Sequence, residues 1–374
     1  QCSAHGYMGN SVTSNGTSID GSNITSGTIP DARFPATLPA VSGANLTNLP
    51  SSGGGLSSDA QKNTVGGTNA GDSFSGTDAT NNTLIGFNAG TAITTADNST
   101  AIGYFALDSC TSGNNNTVLG SNAGKSITTA RESVIIGSTC GDSITTGNFN
   151  TLGGYYCGQA LTTGQRNSFW GYSVGSAATT AGYNVGIGSN AFEQLSSGEF
   201  NVGIGYQAAD NITYGSSNTC VGQYAGNTLS TGSNNTCLGN NAIPSAVDVS
   251  NEITLGNSSV TSLRCQVQTI SSLSDARDKT DIVDSPDGLE LINLLKPRKF
   301  TWAMREESEN NGRTELGFIA QELDEALGDK NDYIHAVNKN NPDKLEASYS
   351  KLIPILVKAI QELTIEVKAL KSNA

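Results

Sequence analysis

The chain has 374 residues, a formal net charge of −13 and 36% hydrophobic residues. That length suggests two or three domains, and the acidic balance excludes a sequence-independent nucleic-acid binder, which needs a basic face. No run of eighteen apolar residues occurs, so neither a transmembrane helix nor membrane insertion is expected.

Charge divides the chain. Residues 1–273 hold six Lys/Arg and fourteen Asp/Glu, whereas residues 274–374 hold fourteen and nineteen. So sharp a shift marks a domain boundary. The expected division is a linker or stalk over 1–58, a repeat body over 59–262, a neck over 263–273 and a C-terminal domain over 274–374. The opening QCSAHGYMGN has neither an initiator Met nor a signal-peptide pattern. The chain is therefore expected to be a mature product or a fragment of something longer. Residues 1–58 are rich in Gly, Ser, Thr and Asn with scattered prolines, a composition that suits an extended or flexible tether.

The middle of the chain is periodic. NTLIGFNAG (82–90), NTVLGSNAG (116–124), NVGIGYQAA (201–209) and NTCVGQYAG (218–226) are copies of one unit. Aligned on the glycine after the apolar pair, the copies run from Gly86 through Gly103, Gly120 and Gly137 to Gly256 at intervals of seventeen, after an imperfect copy at Gly67. The residue before the glycine is mostly Ile, Leu, Val or Trp, as in Ile85, Leu119, Trp170 and Leu255. Three after it is small (Ala89, Ala123, Cys140), and seven after it is apolar (Ile93, Ile144, Leu195). Paired hydroxyls such as Thr94-Thr95 follow, then a turn residue. Short β-branched runs between Gly/Asn turns predict two strands per repeat. Coils stacked at the strand spacing of about 4.8 Å give roughly 48 Å from Gly86 to Gly256.

Each coil has only three or four apolar side chains, too few for a thick private core. The small column suggests close approach to another chain. The body is therefore expected to be a slender parallel β-roll or β-solenoid that completes its core as a homotrimer. Cys140 and Cys157, and Cys220 and Cys237, recur at the same spacing, as small buried hydrophobes do. No Cys-x-x-Cys pair occurs and only His5 and His335 are present, so no metal site, cofactor or Ser-His-Asp triad is expected. A glycan-cleaving enzyme would need a suitably spaced carboxylate pair, and the acidic residues of the repeats are expected to fall at irregular columns. The residue after each glycine is variable, and Phe87, Tyr104, Tyr155, Tyr172 and Tyr206 stand there as candidates for binding a receptor.

The repeats resemble the Asn-x-x-x-Gly head repeats of trimeric autotransporter adhesins and the related repeats of phage tail fibres. That resemblance implies a trimeric, left-handed β-roll. The autotransporter proteins end in a membrane-inserted barrel and this chain in a charged domain, which points to the phage side. The 1–58 segment likewise resembles the extended linkers of phage fibre proteins.

Past the seam, DGLELINLLKPRKFTW places Leu289, Ile292 and Leu295 at helical spacing until Pro297. LGFIAQELDEAL (316–327) is a second amphipathic segment. In the final stretch Ile353, Leu356, Ile360, Leu363, Val367 and Leu370 form an a/d heptad stripe, expected to close as a short trimeric coiled coil or to pack on its own domain. The ordered motifs SDARDKTDI, LLKPRKFTW, GFIAQEL and Tyr349 resemble the C-terminal intramolecular chaperone of phage tail spikes and fibres, the self-cleaving endosialidase type.

The fold class is thus mainly β, a solenoid followed by a small α+β chaperone domain. The family resemblance implies a nucleophile at Ser274, a base at Lys279, and motif support from Asp275, Arg277 and Ile282. It also implies cleavage between Leu273 and Ser274, with no activity on external substrates. In a regular helix Ser274 and Lys279 would lie some 140° apart, so a dyad needs a non-helical turn or a neighbouring chain's lysine. On residues alone, Ser274 capping a helix is the simpler reading. The expected role is a virion tail fibre, assembled in the host cytoplasm, binding a cell-surface glycan or protein and other tail proteins through its N-terminal side. A cellular trimeric adhesin is the alternative.

Overall fold

The computed structural model describes residues 56–74, 78–266, 274–305 and 311–372. The stalk expected over 1–58 lies almost wholly outside the described residues. Twelve three-residue strands, from β2 (Thr64–Gly66) to β13 (Ile253–Leu255), pair parallel in chain order, one to each coil. The register steps by seventeen, as in Val202↔Thr219. The first step is nineteen, Thr64↔Thr83, so the imperfect copy adds two residues to its turn. The antiparallel strand β1 (Ser57–Ser58) pairs with β2.

The expected second strand per repeat is absent from the described coils. Gly86 (φ 138°), Asn88 (55°), Gly90 (56°) and Asn98 (55°) bend one coil repeatedly, leaving no room for another extended run. The paired hydroxyls still bond between coils: the Thr94 and Thr95 backbone N–H groups both donate to the Thr111 carbonyl, and so does Thr94 Oγ1 at 3.1 Å.

Each strand turns its middle residue inward. Leu84, Ala101, Val118, Ile135, Leu152 and Phe169 are fully buried, as are the small column from Ala89 and the apolar column from Ile93. This corrects the expectation that the small column meets another chain, for it packs inside its own coil. Alternation along the strand instead points the residue before the glycine outward. Leu119, Trp170, Ile187, Leu238 and Leu255 are exposed there as an apolar strip.

Core volume is balanced within coils. Where the strand centre shrinks to Ala101 or Gly186, the position six residues on, glycine in most coils, becomes Leu107 or Phe192, both buried. A Cβ on Gly203 would lie 2.8 Å from the Phe192 ring. The cysteines Cys110, Cys140, Cys157, Cys220 and Cys237 are buried thiols in this core.

A buried asparagine ladder ties the coils together. Asn218 donates to Asn201 Oδ1 through its backbone N–H (2.9 Å) and its Nδ2 (3.1 Å), and Nδ2 also donates to the Gly232 carbonyl (2.9 Å). Every polar atom of such a side chain is satisfied, which is what allows it inside. Carboxylates finish both ends. Asp59 accepts from the Asn63 backbone and Nδ2 (2.7 and 2.9 Å), and Glu252 accepts from the Ser245 N–H and hydroxyl while its own N–H meets Asn235 Oδ1.

The acidic residues are less scattered than expected. Asp72, Asp108, Asp142, Glu193 and Asp210 all stand five residues after the repeat glycine. Burial, and then Glu193 one coil away, push the Asp210 carboxyl up to about 6. Its folded value exceeds the ordinary one of about 3.9. Its stabilising contribution is therefore complete below that ordinary value and is lost as pH rises through about 6. Asp210→Asn is expected to raise the melting temperature near neutral pH and to flatten the parent's gain on acidification to about pH 5. Parallel melting profiles for the two proteins would contradict this.

The C-terminal region contains α1 (Leu289–Leu294), a hairpin of β14 (Arg298–Thr301) and β15 (Thr314–Gly317), α2 (Ala320–Leu327), α3 (Asn331–Ile334), a short pair β16 (Val337–Asn338) and β17 (Glu346–Ala347), and α4 (Ile353–Ser372). The helix expected from residue 316 starts at Ala320, because Leu316 and Gly317 pair with β14. A small core joins Leu291, Leu323, Leu327, Ile334, Val337, Leu352 and Ile355. Two faces of α4 differ. Ile355 and Ala359 are buried, while the heptad stripe of Ile353, Leu356, Ile360, Leu363, Val367 and Leu370 is exposed in the single chain. Among the described residues no helix is long and apolar enough to cross a membrane.

Candidate functional site

The seam folds as one tight turn. Asp275 has extended backbone and caps a single 3-10 turn, Ala276–Asp278, accepting from the Arg277 N–H at 2.9 Å. The Arg277 side chain folds back on the same carboxylate through Nε (3.0 Å) and Nη2 (2.6 Å). That guanidinium, with the backbone bond, holds the Asp275 carboxyl below the usual carboxylate range. Lys279 leaves the turn in extended conformation. Its Nζ donates to Ser274 Oγ at 2.5 Å.

The tighter 3-10 turn and extended Lys279 bring the two side chains together within one chain, which a regular helix would not. Asp275, rather than Ser274, is the cap. Ser274 and Lys279 are both exposed, and Ile282 is 69% exposed without contributing to the turn. Leu273, the expected acyl side of the cut, lies outside the described residues. A serine hydroxyl needs a base beside it, and a lysine serves as one near neutral pH only when burial favours its neutral amine. In the single chain the geometry is present and the burial is not.

The other motifs are joined by direct contacts. Arg298 of LLKPRKFTW makes a bidentate pair with Glu322 of GFIAQEL, at 2.8 and 2.7 Å. The Tyr349 hydroxyl accepts from the Phe318 N–H and donates to its carbonyl, both at 3.1 Å. A Cβ on Gly317 would lie 2.6 Å from that hydroxyl, so the glycine admits the tyrosine. Sequence reading placed these motifs in order without their contacts, and it missed a buried carboxylate. Asp287 accepts from Lys330 Nζ and the Tyr333 hydroxyl. Burial raises its carboxyl, but those two partners prevail and hold it below its ordinary value.

Residues 274–331 match the family model described as chaperone of endosialidase. The chain carries a chaperone-of-endosialidase domain. The match opens on Ser274 and includes the whole Asp275–Lys279 turn. Joined to a solenoid of seventeen-residue coils, the chaperone domain fits a tail-spike-like or fibre-like protein. The chain matches no curated protein and no solved structure.

Four of the five receptor candidates stack in pairs, Phe87 on Tyr104 at 5.5 Å and Tyr155 on Tyr172 at 5.9 Å, while Tyr206 meets Tyr224, a residue of the next column, edge-on. Ser121, Ser138 and Ser189 interrupt their column. Among the described residues no cluster of His, Cys, Asp and Glu suits a metal.

Proposed function

We propose that this is a homotrimeric tail fibre or spike of a phage-like virus whose chaperone domain directs assembly and then cuts itself off before Ser274. The observation that carries the reading is the Lys279–Ser274 hydrogen bond at the first residue of the family match. Ser274 Oγ attacks the Leu273 carbonyl carbon, Lys279 takes the hydroxyl proton and returns it to the departing Ser274 nitrogen, and the amide becomes an ester. Water then opens the ester, leaving a Leu273 carboxylate and a fragment that begins with a free Ser274 amine.

The exposed heptad stripe of α4 and the outward apolar strip of the solenoid favour a three-chain assembly. Closing that assembly around the seam would supply the burial that Lys279 lacks, making cleavage a readout of correct folding. The body that remains would attach to a host-surface receptor and to other tail proteins. Intact-mass measurement of the assembled protein tests the processing step. The expected products are residues 1–273 and a fragment of 101 residues from Ser274 to Ala374. An uncut chain in a verified trimer would contradict processing.

A further inference from the structure

One exposed column breaks the pattern of its neighbours. The residue five before the repeat glycine is left-handed in every coil, and Asn81, Asn98, Asn115, Asn234 and Asn251 fill it as that conformation prefers. Four consecutive coils instead place Phe149 (φ 60°), Arg166 (57°), Tyr183 (59°) and Phe200 (58°) there. Bulky side chains pay a steric penalty in this region, and burial does not offset it: Tyr183 is 36% and Phe200 55% exposed.

These four side chains form a continuous strip. Arg166 lies over the Phe149 ring at 5.0 Å and over Tyr183 at 5.3 Å, and its Nη1 donates to the Tyr183 hydroxyl at 2.6 Å. Tyr183 stacks on Phe200 at 4.9 Å. In a second, mostly half-buried left-handed column the aromatics Phe105, Tyr156 and Tyr224 occur singly, between polar residues. Glu132 precedes the strip and Ser217 follows it.

We infer that Phe149, Arg166, Tyr183 and Phe200 form a binding strip for an uncharged glycan chain. This deepens the attachment reading and rests on it for the biological role. Aromatic faces take the apolar faces of sugar rings, while the remaining Arg166 N–H groups and the Tyr183 hydroxyl meet sugar oxygens. Rings at coil spacing present one platform after another along an extended chain. Charge selects the neutral class: the chain's net charge of −13 opposes an acidic polysaccharide.

The test uses the full chain and neutral hexasaccharides of glucose, mannose and N-acetylglucosamine, with binding followed by saturation-transfer NMR. Tyr183→Asn, Phe200→Asn and Arg166→Asn place the residue of other coils at this column, so melting temperature should hold or rise. Binding of at least one hexasaccharide should fall about tenfold or more in each variant and persist in Tyr214→Ala, an exposed tyrosine outside both aromatic columns. Absence of hexasaccharide binding by the parent, or loss only in Phe87→Ala and Tyr155→Ala, overturns the inference. A lower melting temperature or dissociated trimer in the Asn variants, with hexasaccharide binding intact, also overturns it by showing a structural strip. Hexasaccharide binding without adsorption to host cells leaves the strip standing and removes the attachment reading. Adsorption without hexasaccharide binding does the reverse.

Discussion

Gly154→Ala is expected to break the solenoid near its middle. A Cβ there would lie 2.1 Å from the Gly171 carbonyl oxygen of the next coil, at a φ of +131° that side chains avoid. Neither the backbone strain nor the clash can relax alone, because moving one coil breaks its ladder with both neighbours. Strain and overpacking together should cost about 2–6 kcal/mol. Gly312→Ala is the control: its φ is +86°, yet nothing lies within 4 Å of the added methyl. Urea unfolding should show a much larger loss for Gly154→Ala than for Gly312→Ala. Equal losses would mean the repeat glycines are not held by coil-to-coil approach.

The same close approach explains why the body was legible. A backbone that admits only glycine at one point of each coil leaves an invariant mark, and the seventeen-residue interval followed from it. The asparagine four residues before that glycine was legible as part of a family pattern, but its buried ladder was not. Spacing does not say which atoms meet. The second strand was misread because Thr94-Thr95 and its equivalents have strand-like composition but bond between coils from turns. The small column was misplaced for a related reason: Ala89 looks like a contact residue until the alternation of Thr83–Ile85 fixes which side is in.

In the C-terminal domain the helical periods of α1 and α4 were readable, and so was the heptad stripe. Strand β15 hid inside an amphipathic pattern, because Leu316 and Phe318 fit either period. At the seam, sequence supplied Ser274 and Lys279 by resemblance but could not choose between a turn and a second chain. The Asp275–Arg277 clasp holds a turn in which one chain brings the two side chains together, and no periodic signal announces it. The aromatic strip is not legible in the column after each glycine, because Phe149 to Phe200 stand five before it.

Ser274→Ala and Lys279→Arg are each expected to abolish cleavage while leaving assembly intact. Ser274→Ala removes the nucleophile. Lys279→Arg keeps a cation and its hydrogen-bond donors, but a guanidinium does not give up its proton at accessible pH. A purely structural lysine would tolerate arginine, so this variant separates a base from a clasp. Both proteins should remain 38.5 kDa chains on denaturing gels, whereas the parent should convert to its two fragments. Asp275→Asn keeps an N-cap acceptor but loses the ion pair with Arg277, and should slow the conversion without stopping it. Full conversion in Lys279→Arg would exclude Lys279 as the base and leave the chaperone role untouched.

Near-identical coils invite slips of seventeen residues that preserve most contacts, and long-range parallel pairing forms slowly. An early three-helix contact through Ile353, Leu356, Ile360, Leu363, Val367 and Leu370 would set a common register before the strands close. The most direct test is the sedimentation-equilibrium mass of uncleavable Ser274→Ala, residues 1–374, beside a chain expressed as residues 1–273. The account predicts a homogeneous assembly of three 38.5 kDa chains for the first and aggregates or mixed registers for the second. Homogeneous trimers formed equally well by residues 1–273, or a 38.5 kDa monomer for Ser274→Ala, would contradict it.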